Sequence, residues 1–124
     1  MRTLVVTAVS VVLLAASAGA LAANPPQIPN IPGKWSHAEI NVKIQREPHT
    51  LILDHGRITQ LSATEFTLKE PDGSIVQIPL SSSTLIVFRG FGLRPPVAMR
   101  KGLWAVAMRI DDGAAVRVRV TRLP

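Results

Sequence analysis

The 124-residue chain contains no cysteine. Disulfide bonds, thiolate catalysis, cysteine-ligated zinc and iron–sulfur clusters are therefore excluded. Tyrosine is also absent, and two tryptophans and three phenylalanines are a small aromatic set for a protein that would stack bases or sugars. A chain this short accommodates one small domain, which excludes a two-domain enzyme that closes on a cofactor. Apolar residues are plentiful at 47%, which argues against disorder throughout.

The amino terminus has the pattern of a secretory signal peptide. A single positive charge, Arg2, precedes the uncharged apolar run 4–21, and Ala20 and Ala22 put small residues where a signal peptidase reads. We therefore expect residues 1–22 to be removed and the protein to reach the cell envelope or the outside through the general secretory route, without a membrane span. The alternative is an uncleaved membrane anchor, although an apolar run of this length is near the lower limit for a span.

The segment after the leader is rich in proline. Four of the residues 23–36 are proline, and each fixes φ and lacks an amide donor, so neither a helix nor a central strand can form there. The composition predicts an extended spacer. Trp35, near its end, is expected to dock on the domain that follows, which covers residues 37–124.

From His37 onward, apolar and polar residues alternate with the period of half-buried β-strands. The first such strand is expected to end where residues 46–49 interrupt the pattern. The second contains Gly56, where we expect a bulge or a sharp bend. The domain is therefore predicted to be all-β.

Two turn signals predict β-hairpins. Residues 70–74 (EPDGS) combine proline, aspartate and glycine, with Gly73 expected at positive φ, and residues 111–113 (DDG) form the second turn. Between them, two prolines can open a short helix over Val97–Lys101, which Gly102 would end.

Six or seven short strands with one short helix fit a small antiparallel barrel of the OB-like or SH3-like kind, because closure removes exposed strand edges. The alternative architecture is a β-sandwich.

Several short motifs follow one another between His55 and Val120. They are GRITQL at 56–61, FTL at 66–68, DG at 72–73, PVAM at 96–99 with KG at 101–102, and VRV at 116–118. In this order they resemble a family of exported bacterial domains of unknown function, which are small OB-like barrels behind a signal peptide. The resemblance implies the fold and export, and it carries no catalytic residues.

Catalytic and metal-binding patterns are missing. His37, His49 and His55 stand in three different segments without the spacing of ligand pairs. No nucleophile-elbow motif occurs, and Gly90-Phe91-Gly92 is not continued as a dinucleotide-binding loop. We therefore expect no enzyme activity, no cofactor and no metal.

Charge is distributed unevenly along the chain. Residues 23–83 hold five basic and six acidic side chains, whereas residues 84–124 hold eight basic and two acidic ones. Seven of the eight are arginine, whose guanidinium binds phosphate and carboxylate in a fork. Arg117 and Arg119 alternate with valines on the last strand, and pairing can bring Arg109 of the preceding strand to the same outward face. These three are the candidate anion-binding residues.

Two functions are compatible with these features. The first is structural or protein-interaction work in the envelope or outside the cell, for which an exposed apolar patch would be the marker. The alternative is binding of an anionic ligand or surface, such as an envelope polymer, a lipid or a nucleic acid, through the arginine-rich half. Export makes a nucleic acid the least suitable natural partner.

Cleavage of the leader is directly measurable. The mature chain is expected to begin at Ala23 or within a few residues of it, because Ala20 and Ala22 fit the cleavage rule. Amino-terminal sequencing of the exported protein checks this. A mature chain that still carries residues 4–21 would identify an anchor instead.

Overall fold

The computed structural model describes residues 3–13 and 25–122. The described chain is all-β, as predicted, with nine strands and one short 3-10 helix. The strands are β1 (Thr3–Leu13), β2 (His37–Ile44), β3 (Glu47–Leu61), β4 (Glu65–Lys69), β5 (Ile75–Pro79), β6 (Leu85–Phe88), β7 (Gly92–Arg94), β8 (Trp104–Ile110) and β9 (Ala115–Thr121). The two strands beyond the expected six or seven are β1 and β7.

Strand β1 lies within the run that has the pattern of a leader. Its backbone pairs in parallel with β2, with Leu4 opposite Ala38 and Leu13 opposite Ile44. The expected cleavage site at Ala20–Ala22 lies outside the described residues. In the part of the chain that the structure describes, no helix is long and apolar enough to cross a membrane.

The long strand β3 organises the sheet. Along one edge it pairs first with β2 and then with β4, and along the other edge it pairs with β8. From β8 the sheet continues through β9 and β6 to β7, while β5 pairs with β4. Strand β6 therefore lies between β9 and β7, with Ile86 buried in the first core and Phe88 packed against it.

Two apolar clusters lie on opposite faces of β8. Its residues Ala105 and Ala107 face the first core, and Val106 and Met108 face the second core. The first core also contains Ile58, Phe66, Leu68, Ile78, Ile86, Met99, Ala115, Val118 and Val120, and the second contains Ile28, Trp35, Ala38, Ile40, Val42, Ile44, Leu51 and Leu53.

The proline-rich segment packs on the domain instead of standing away from it. Ile28 and Trp35 are buried in the second core. The Arg117 guanidinium donates hydrogen bonds to the carbonyls of Pro25 and Pro26, each at 3.1 Å. These contacts cover the second core, which would otherwise be an exposed apolar face.

The expected break between β2 and β3 is shorter in the structure. The turn consists of Gln45 and Arg46 alone, with φ values of 52° and 68°, and β3 begins at Glu47. Pro48 is tolerated inside the strand because β8 pairs with β3 only from Leu51 onward, so one side of β3 has no neighbour at Pro48. The predicted positive φ at Gly73 is confirmed at 90°.

The expected helix over Val97–Lys101 is wrong in length and bounds. A single 3-10 turn covers Pro96–Ala98, and Met99 after it is extended and buried. The chain then rejoins β3, where Gly102 donates to the carbonyl of Ile58 at 2.8 Å. The helix therefore ends early, because Met99 is buried in the core and Gly102 is hydrogen-bonded to β3.

Gly56 permits a close crossing of two strands. A Cβ atom added there would lie 2.6 Å from the carbonyl oxygen of Lys69 and 3.1 Å from the Cα of Glu70. The residue is therefore required for close backbone approach where β4 leaves β3. The bulge expected at Gly56 is wrong in position, because pairing with β8 is regular there and the register shift of β3 lies between Ile58 and Gln60.

Replacement of Gly56 tests this crossing. Gly56→Ala is expected to lower the free energy of unfolding by about 2–3 kcal/mol, because a backbone carbonyl must move to admit the methyl group. Gly113→Ala is the matched control, since its Cβ would lie 3.3 Å from its nearest neighbour, the carbonyl oxygen of Ile110. Urea unfolding of both variants measures the effect, and equal losses would contradict the crossing.

Candidate functional site

The structure separates the three arginines singled out from the sequence. Arg117 lies opposite Met108 and Arg119 opposite Val106, so both project from the face of the second core. Arg109 lies opposite Ile52 of β3, on the other face. A bulge after Met108 makes Val116 an extra residue in β9, and Val116 packs on the second core instead of facing inward with the other valines. The expected common face of the three arginines is therefore wrong.

Arg117 and Arg119 do not lie on a solvent-exposed face of the sheet. Arg117 is half-buried and holds the proline-rich segment through the carbonyls of Pro25 and Pro26. Arg119 is also half-buried, and it faces a cavity beneath that same segment. Arg117 thus has a structural contact, whereas Arg119 faces space that a ligand can enter.

The cavity has a volume of about 340 Å³ and lies between the proline-rich segment and the sheet. This is the lower end of the range for small-molecule sites. Two arginines, Arg89 and Arg119, line it, and the described residues around it include no carboxylate. The lining residues are Asn30, Ile31, Gly33, Trp35, His55, Arg89, Ala105, Val106, Arg119 and Thr121.

His55 forms an ordered wall of the cavity. Its ring stacks on Trp35 at 5.2 Å between centroids and is tilted against Trp104 at 5.3 Å. Its Nδ1 donates to the carbonyl oxygen of Trp35 at 3.0 Å. Burial lowers the pKa of His55 below its usual range, and the charge of Arg119 acts in the same direction against the hydrogen bond to Trp35. His55 is therefore neutral at pH 7, with Nδ1 protonated and Nε2 able to accept a hydrogen bond.

Electrostatic repulsion is built into this cavity. Burial lowers the pKa of Arg119, and the positive charge of Arg89 lowers it further. Arg119 is half-buried and Arg89 is exposed, so solvent weakens the repulsion between the two charges but leaves a positive potential at the cavity. An anion in the cavity would relieve that repulsion and accept hydrogen bonds from both guanidinium groups.

Three side chains that line this cavity are not predicted from the sequence to form one site. The sequence indicates only that Arg89 is one of the basic residues of the carboxyl-terminal half, that His55 lacks the spacing of a metal-ligand pair and that Trp35 docks on the domain. No spacing rule joins them, because they come from β3, the end of β6 and the proline-rich segment.

Comparison with known proteins found no match for this chain among protein families, curated proteins or solved structures.

A second group of ionisable side chains lies beside the start of β2. His37 bonds Asp54 through Nδ1 at 2.7 Å and Glu39 through Nε2 at 2.9 Å. Burial lowers the pKa of His37, but the two carboxylates outweigh it, and the net result is a raised pKa. Because a carboxylate can only accept, both ring nitrogens donate, and the charged form of His37 is favoured.

Glu70 completes this group as a neutral acid. Both Asp54 and Glu70 are buried. Burial, together with a hydrogen bond to Asp54 and its negative charge, raises the pKa of Glu70 to about 9. Protonated Glu70 can donate a hydrogen bond to Asp54. The carboxylate of Asp54 then accepts from two donors, Glu70 and His37. Within residues 3–13 and 25–122, no group of three or more acidic or histidine side chains is arranged to hold a metal ion.

The buried acid predicts a pH dependence of stability. Unfolded Glu70 loses its proton near pH 4.5 and folded Glu70 near pH 9, so the free energy of unfolding falls as pH rises between those values. The raised pKa of His37 acts in the same direction above about pH 6.5. The Tm of the wild type is expected to fall by at least about 5 °C from pH 5.5 to pH 9, the effect of about 1 kcal/mol.

Glu70→Gln separates the two contributions. The amide is expected to flatten most of the fall in Tm and to leave the part that His37 contributes. Exposed Glu47 provides the control variant Glu47→Gln. If Glu70→Gln and Glu47→Gln show the same slope of Tm with pH, Glu70 is not the buried neutral acid.

Proposed function

We propose that this protein is an exported, non-catalytic module that binds a small anionic ligand in the cavity between the proline-rich segment and the sheet. The convergence of Arg89 and Arg119 on that cavity, without a carboxylate beside them, carries the proposal. An anion that lies between the two arginines would interact favourably with both charges.

The other lining residues indicate what kind of anion fits. Forked guanidinium groups suit a carboxylate, sulfate or phosphate. Ile31 and Trp35 add apolar surface, and the amide of Asn30 can both donate and accept. The volume of about 340 Å³ admits one acidic sugar or a molecule of similar size. An anionic envelope polymer would therefore be bound by one unit or by its end.

Export supports an envelope component as the natural ligand. The leader pattern of residues 1–22 and the charge excess of the carboxyl-terminal half are the features in its favour. Removal of the leader would also remove β1 and leave β2 as an edge strand. A nucleic acid has less support, because strand-binding sites use aromatic rings along an open groove, whereas Trp35 is buried.

An OB-like barrel is the architecture that we propose for strands β3–β9. In favour of it, the long β3 pairs with both β4 and β8, and β6 pairs in parallel with β9. Closure requires only that β5 and β6 act as one strand interrupted at residues 80–84. Residues from β3, β4, β5, β6, β8 and β9 all contribute to the first core, as expected for the interior of such a barrel.

The alternative of a protein-interaction module depends on other residues. The exposed apolar side chains Phe91, Leu93 and Val97 meet the marker expected for it, and none of them lines the cavity. Variants can therefore test the two functions separately.

Tryptophan fluorescence tests the anion site directly, because the two tryptophans of the chain both lie against His55. Glucuronate and glycerol phosphate are expected to change the emission saturably, and glucose and glycerol are not. Arg119→Ala and Arg89→Ala should each weaken binding by about tenfold or more, the value of one lost charge-assisted hydrogen bond. Added salt should weaken binding of the anions.

Arg109→Ala is the matched control, since Arg109 lies on the opposite face of the sheet. It is expected to bind both anions like the wild type. Equal losses in Arg109→Ala and Arg119→Ala, or equal binding of the neutral compounds, would disprove the site.

A further inference from the structure

The segment Arg89–Gly102 displays large apolar side chains to solvent. The exposed fraction is 69% for Phe91, 60% for Leu93 and 76% for Val97. In the described part of the chain, only one other large apolar side chain, Ile75 of β5 at 63%, is exposed to this degree. Three exposed apolar side chains in one short segment indicate a surface that binds an apolar partner.

The same segment is uniformly basic. It contains Arg89, Arg94, Arg100 and Lys101 and no acidic residue. The guanidinium groups of Arg94 and Arg100 donate to carbonyls of their own segment, those of Leu93, Val97 and Met99. These contacts leave the positive charges without neutralisation from within the segment.

The display is held in place by the fold. Leu93 of β7 pairs with Val87 of β6, and Phe91 N–H donates to the carbonyl of Phe88 at 2.9 Å. After the 3-10 turn, buried Met99 ties the segment to the first core. The backbone of the segment is thus held by the fold, which reduces the ordering that binding would have to offset.

We propose that the segment Arg89–Gly102 docks the protein on the surface of an anionic lipid bilayer. Phe91, Leu93 and Val97 would enter the boundary between headgroups and acyl chains, while the basic side chains contact anionic headgroups. Charge complementarity selects this partner, since Arg94, Arg100 and Lys101 lie in the same segment as the apolar residues, in addition to Arg89 at the cavity. Strand β7 has three residues, and so short an edge strand disfavours the addition of a strand from a protein partner.

Arg89 belongs both to this segment and to the lining of the anion cavity, whereas Phe91, Leu93 and Val97 do not line the cavity. A lipid headgroup in the cavity and a bilayer under the segment are therefore two different contacts. Failure of either one leaves the other standing.

A site-specific fluorophore tests the proposal in the full chain, because the absence of cysteine allows a single label. An environment-sensitive dye on Val97→Cys is expected to shift to the blue and brighten with phosphatidylglycerol vesicles. Partition to these vesicles should be at least about tenfold stronger than to phosphatidylcholine vesicles and should weaken with salt. The same dye on Ile75→Cys is the matched control and should not respond.

Two sets of variants assign the response to the segment. Phe91→Ser with Leu93→Ser should reduce partition by about tenfold or more, and both residues are exposed enough to be changed without loss of the core. Replacement of Arg94, Arg100 and Lys101 by alanine should remove the preference for anionic vesicles. The charge control replaces exposed Lys43 and Arg57 by alanine and should leave the preference intact.

Three results would overturn docking on lipid. The first is a label at position 97 that does not respond to phosphatidylglycerol, which would leave a protein as the partner of this surface. The second is an equal response to neutral vesicles. The third is an equal response from the label at position 75, as insertion of the leader alone would produce.

Discussion

At Gly56 the backbone of Lys69 and Glu70 crosses β3 within a distance that no side chain permits. This crossing lets β3 serve two partners on one edge, first β2 and then β4. It also brings Glu70 against Asp54, on one face of β3, while His55 projects to the other face. The buried acid pair and the aromatic wall of the cavity therefore depend on the same close approach.

The junction between the proline-rich segment and β2 is tied to both sides of this crossing. The carbonyl of Ser36 accepts from the amide of His55 at 2.8 Å, and the Ser36 hydroxyl accepts from the amide of Asp72 at 3.0 Å. His37, the next residue, binds Asp54. Because Trp35 immediately precedes these anchors, its position over the second core is set by them, and the cavity acquires one rigid wall.

The arginines of the carboxyl-terminal half lie in different parts of the structure and make different contacts. Arg117 satisfies two carbonyls of the proline-rich segment, Arg89 and Arg119 face the cavity, and Arg109 lies on the opposite face. Arg94 and Arg100 belong to the exposed segment with Phe91. The excess charge alone predicts affinity for anions, but only this division separates the proposed anion site from the proposed docking surface.

Features that depend on a few neighbouring residues were predictable from the sequence. The period-two strands and the hairpin with Gly73 at positive φ follow from local sterics and from burial of alternate side chains. The role of Gly56 does not, because it depends on Lys69 and Glu70 at the end of another strand. For the 3-10 turn, the sequence predicted only that a short helix would begin at the prolines. The early end of the turn was not predictable, because it depends on burial of Met99 and on the hydrogen bond of Gly102 to β3.

The candidate site itself required the tertiary structure. One extra residue, Val116, changes the register of β9 after Met108 and puts Arg109 and Arg117 on opposite faces. Trp35 lines the same cavity as Arg89 and His55 only because the proline-rich segment folds back over the second core. The sequence by itself determined which residues alternate along each strand. Which strands share a face was decided by their pairing, since a shift of one residue reverses the direction of every side chain that follows.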